Sequence, residues 1–161
     1  MVLQPLMKKV LEELDFVNWY KELSASHQSL QRFADYDTEE AREMIAEFGY
    51  PKTTYIPAAF FYIVVDTDDE DIDAGINMSL KDGQLELILN LAIGGKHRFS
   101  GSFSLVCEKL GYKEAIEKPS FANYKELYVL LKKVFVMYEQ VKERITGLSV
   151  KNTTMLSFVK E

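Results

Sequence analysis

Apolar residues recur at three- and four-residue spacing from position 2 to position 23, at Leu3, Leu6, Met7, Val10, Leu14, Val17 and Tyr20. That spacing sets them on one stripe and predicts a single amphipathic helix. A second helix is predicted over 38–48: Asp37 can cap it, Glu39, Glu40 and Glu43 suit its positive N-terminal end, Gly49 suits its exit, and Pro51 blocks continuation. Residues 28–33 leave the choice between a helical turn and a loop open.

The period then changes. Residues 58–65 are rich in aromatic and β-branched side chains and read as a largely buried strand, while Ile76, Met78 and Leu80 alternate with polar neighbours in the next. Leu85, Leu87, Leu89, Leu91 and Ile93 alternate again. Asp82-Gly83 separates these two runs, and a two-residue type I′ turn there sets Leu80 opposite Leu85, Met78 opposite Leu87 and Ile76 opposite Leu89. Gly94-Gly95 makes the next turn, and residues 98–105 supply a fourth strand through Phe99, Phe103 and Leu105.

A short helix over 106–110 ends at Gly111, and Pro119-Ser120 marks a fresh start. Tyr124, Leu127, Leu130, Leu131, Val134, Tyr138, Val141 and Ile145 then form a continuous helical stripe, expected to lie across the apolar face of the sheet. Tyr128, Val129, Phe135 and Val136 project elsewhere on that helix, to be covered either by the N-terminal helix or by another chain. Gly147 is the expected stop, with residues 148–159 as an edge strand or loose tail. The fold class is therefore α+β: an antiparallel meander of about four strands, flanked by N-terminal helices, with a long C-terminal helix on one face.

With 161 residues, 47% hydrophobic and 27% charged, the chain has the size and composition of one globular domain spanning 1–161. Lys8, Lys9, Glu12 and Glu13 interrupt the apolar positions of the first fourteen residues, unlike a signal peptide. The longest apolar run, 56–65, is half of what a membrane span requires. A cytoplasmic protein with no membrane partner is the expectation. The net charge of -6 argues against a direct grip on nucleic-acid phosphates.

Chemistry is sparse in the pattern. His27 and His97 stand in no HxxxH or HxH arrangement, and Cys107, the lone cysteine, follows Leu105-Val106 as a buried cysteine would. The Gly94 to Arg98 segment resembles an anion cradle in composition but lacks the GxxxxGK[ST] spacing, and no GxSxG, HExxH, GxGxxG or CxxC occurs. No catalytic residue, metal site or cofactor is assigned, and a non-enzymatic role is expected. The conspicuous feature is acidic: Asp66, Asp68, Asp69, Glu70, Asp71 and Asp73 crowd the connection between two strands. It departs from a calcium loop, since Asp71 stands where an EF-hand needs glycine. Charge is also divided along the chain, with eighteen acidic and seven basic residues in the first ninety but seven acidic and twelve basic in the remainder. A concentrated negative patch steers cationic proteins, so these six residues are the expected partner-binding site.

In size, acidity and α+β class, with the acidic stretch around Asp66 to Asp73, the chain resembles the small immunity proteins that bacteria encode beside toxins. That resemblance implies a protein that binds a toxin domain, such as a nuclease, through a basic surface on the toxin and neutralises it. A small acidic secretion chaperone, homodimeric through the spare apolar face of the last helix, is the alternative, and a carboxylate-based enzyme the second.

Overall fold

The computed structural model describes residues 2–64, 73–94 and 97–160, with side chains through Leu148. The helices are α1 (Pro5–Glu13), α2 (Phe16–Ser26), α3 (Thr38–Glu47), α4 (Phe103–Lys109) and α5 (Tyr124–Lys160). The strands are β1 (Thr54–Ile56), β2 (Phe61–Val64), β3 (Ala74–Ser79), β4 (Glu86–Ile93) and β5 (His97–Ser102), paired antiparallel in chain order. The expected α+β meander is present with one strand more than the pattern indicated.

The β3–β4 register is the one read from the alternation: Ile76 faces Leu89 and Met78 faces Leu87. Asp82 and Gly83 both take positive φ, 60° and 71°, as a type I′ turn requires, and Gln84 N–H closes it onto the Lys81 carbonyl at 3.2 Å. Met78, Leu80, Leu85 and Leu87 are all buried, and α5 packs on β3 and β4, with Leu127, Leu131, Val134 and Val141 buried in the same core. On the opposite side of the sheet Ile63, Asn77, Ile88 and Asn90 are only partly covered. The sheet thus has one closed and one open face, the common condition of antiparallel sheets.

Four expectations are corrected. The N-terminal helix is two helices, because Asp15 adopts a left-handed conformation (φ 54°) that redirects the chain and lets Phe16 pack edge-on against Phe103 at 5.1 Å. Residues 58–65 are not one strand: Pro57 to Phe60 form the turn of a β1–β2 hairpin, with Ala59 N–H on the Ile56 carbonyl. The strand expected to reach Leu105 stops at Ser102, whose hydroxyl accepts the Leu105 N–H at 3.1 Å and caps α4. Gly147 does not end α5, which continues to Lys160 in place of the edge strand or tail. Residues 28–33 contain no helical turn.

The connection 112–123 closes the body. Ser120 N–H donates to the His27 carbonyl, Leu85 N–H to the Pro119 carbonyl, Phe121 N–H to the Gly83 carbonyl and Phe33 N–H to the Phe121 carbonyl. Asn123 then opens α5 with a capping box: its side-chain oxygen accepts the Glu126 N–H at 2.9 Å while Glu126 reaches back to the Ala122 N–H.

Candidate functional site

The strand order decides where the charged connections lie. Thr54 pairs with Ile63, Val64 with Ile76, Ala74 with Leu91 and Ile93 with His97, so the connection 48–53 and the strand ends Val64, Ala74, Ile93 and His97 all lie at one end of the sheet. Asp66, Asp68, Asp69, Glu70 and Asp71 lie outside the described residues. Asp73, at the foot of their connection, is half-buried, and its carbonyl accepts the Ala92 N–H at 2.7 Å, which anchors the chain to β4. Tyr50, just after α3, touches Tyr138, whose hydroxyl donates to the Ala74 carbonyl at 3.1 Å. The C-terminal end of α3, with exposed Glu43 and Glu47, therefore points to this same end. At the N-terminal end of α3, Glu39 is held by Arg42 at 2.6 Å, and this hydrogen bond keeps its carboxyl below the usual range. Arg98, exposed on β5 next to His97, adds positive charge one strand away from Asp73, beside β4.

His27 belongs to a different place. It follows α2 and lines a surface cavity of about 460 Å³ with Ser29, Asn123, Glu126 and Val129. Lys133, on α5, donates from Nζ to His27 Nε2 at 2.9 Å, and Ser29 Oγ donates to Glu126 at 2.5 Å. Burial, reinforced by the Lys133 ammonium and opposed by Glu126, lowers the imidazole pKa. The ring is held neutral with its Nε2 lone pair occupied. Nothing in the sequence announces this cluster, because its members stand up to 106 residues apart.

Cys107 faces the core from α4, and burial pushes its thiol up to about 11. A thiol retained as SH near neutral pH is the opposite of an activated nucleophile, and His97 is exposed on β5. Among the described residues no three His, Cys, Asp or Glu side chains converge as a metal site. A second concavity, a groove of about 700 Å³, runs between α1 and the far part of α5, with Leu6, Val10, Leu14 and Leu148 along it and Glu143 and Arg144 on its wall. Of the apolar set on α5 left over by the periodicity, Phe135 is buried against Phe48 and Tyr50 and Tyr128 stacks on Phe48, whereas Val129 and Val136 are exposed. The cover comes from the α3 corner rather than from the N-terminal helices.

No described helix is long and apolar enough to cross a membrane. Comparison with family models, with curated proteins and with solved structures returned no match.

Proposed function

We propose that this chain is a non-enzymatic protein-binding domain whose acidic sheet end docks a basic protein surface, in the manner of an immunity protein that occupies and neutralises a toxin domain. The observation that carries the reading is that the two strand ends flanking the acidic run, Val64 and Ala74, lie at the end of the sheet to which the C-terminal end of α3 points. In the sequence Asp66, Asp68, Asp69, Glu70 and Asp71 stand between Val64, the end of β2, and Asp73, and Glu43 and Glu47 are exposed on α3. Carboxylates attached to two fixed strand ends form a standing negative field, and such fields act on encounter rates more than on residence. The buried, protonated Cys107 and the occupied Nε2 of His27 support the same reading over a nucleophilic or general-base enzyme.

The test replaces Asp68, Asp69, Glu70 and Asp71 by Asn or Gln. Pull-down from the native host identifies the partner, and association rates are then measured for both proteins across a salt series. The variant should associate more slowly and with a flatter salt dependence, since charges on exposed surfaces are screened beyond about 8 to 10 Å at physiological salt. Its melting temperature should not change. Equal rates and equal slopes would reduce the connection to a solvating loop.

A further inference from the structure

We propose that the outward side of α5 is a two-fold interface on which a second copy of this chain docks with its α5 antiparallel. At 100° per residue, Lys125, Val129, Lys132, Val136, Glu139 and Glu143 fall within an arc of about 80°, and all six are exposed. Val129 is 41% and Val136 56% exposed. The order of charge along this stripe matters: Lys125 and Lys132 stand in its N-terminal part, alternating with Val129 and Val136, and Glu139 and Glu143 at its C-terminal end. A parallel partner would set like charges together. An antiparallel two-fold centred near residue 134 sets Lys125 opposite Glu143 of the partner subunit, Val129 opposite Glu139 of the partner subunit and Lys132 opposite Val136 of the partner subunit. An isologous interface requires this kind of self-complementarity.

A second feature fits the same operator. Leu30 is fully exposed in the loop after α2, and that loop is tied to the first turn of α5 by the Ser29–Glu126 hydrogen bond. The apolar groove between α1 and α5 lies at the other end of the stripe. Val129 lines the His27 cavity together with Ser29, the chain neighbour of Leu30, while Gln140 and Glu143 line the groove, so both concavities flank the same side of α5. A two-fold that reverses the helix preserves that side. Leu30 of each copy therefore faces the groove of the other, where Leu6, Val10 and Leu14 offer it an apolar seat.

This inference does not rest on the proposed function, since it needs only a second copy of this chain. It is tested on the purified full chain alone by sedimentation equilibrium, with thermal melting as the control for folding. The wild-type chain should have twice the mass of the 18.5 kDa protomer. Val136→Glu and, separately, Leu30→Asp should return the protomer mass while keeping a cooperative melt, since both sites are exposed in the single protomer. Lys125→Glu and Glu143→Lys should each weaken the dimer, and the double exchange should restore it. A wild-type chain that remains monomeric, a dimer indifferent to Val136→Glu and Leu30→Asp, or a double exchange no better than the single ones would overturn the proposal.

Discussion

Gly83 stands where three distant stretches of chain meet. Its carbonyl receives the Phe121 N–H, and a β-carbon placed on it would lie 2.5 Å from the Phe33 nitrogen and 2.9 Å from the Arg32 carbonyl carbon. Both are backbone atoms, which cannot swing aside as a side-chain tip can, and φ of 71° is itself unfavourable for any residue with a β-carbon. Overpacking costs about 1 to 3 kcal/mol and the left-handed conformation about 1 more, so Gly83→Ala should destabilise by at least about 2 kcal/mol in a denaturant titration. His27 makes a different kind of prediction. Folding lowers its pKa below the ordinary 6.5, so the unfolded chain binds the proton more readily. The stability contributed by the neutral ring is whole above about pH 6.5 and is lost as pH falls through the folded pKa. Melting temperatures measured from about pH 7 down to about pH 5 should fall more steeply for the wild type than for His27→Gln. Parallel curves would remove His27 from the pH response.

At the scale of elements, the β3–β4 hairpin was legible because two independent signals agreed: the alternation from Ile76 to Ile93 and the Asp82-Gly83 turn each specify the same register. Leu87, fully buried at the centre of that face, should accordingly cost about 2 to 5 kcal/mol when cut to alanine, read as a fall in the denaturation midpoint; a loss below 1 kcal/mol would mean the site collapses around the gap. Other elements were hidden for physical reasons. The three residues of β1 are too few to show a period, and the Ala58-Ala59-Phe60 tip of its hairpin is as apolar as a strand. The break at Asp15 leaves the three- and four-residue spacing intact, since α1 and α2 both turn their stripes inward. Gly147 was overread: glycine within a helix costs about 1 kcal/mol relative to alanine, a weakness rather than a stop, and Gly147 is not among the glycines with positive φ. The Ser102 cap was a usable signal that the run of Phe99, Phe103 and Leu105 concealed.

At the scale of the molecule, the division of charge along the chain becomes a division in space only in part. The C-terminal end of acidic α3 and the strand ends Val64 and Ala74, which flank the acidic run, lie at one end of the sheet, but His97 and Arg98 from the basic half come to that end too, which linear bookkeeping could not locate. The pairing of His27 with Lys133 was likewise out of reach, because only the packed fold brings the end of α2 beside α5. The connection 112–123 has one more consequence, in the order of assembly. Its bonds to Ser24 and Ser29 close loops of 93 and 91 residues, whereas the β3–β4 hairpin closes over a handful. Closing entropy rises with loop length and must be met before such distant contacts contribute anything. A chain emerging from the ribosome can therefore form its local hairpins and N-terminal helices early, but the seam at His27, Phe33 and Gly83 stays open until Phe121 has left the exit tunnel. The first two thirds of the protein wait on the last third for their closure.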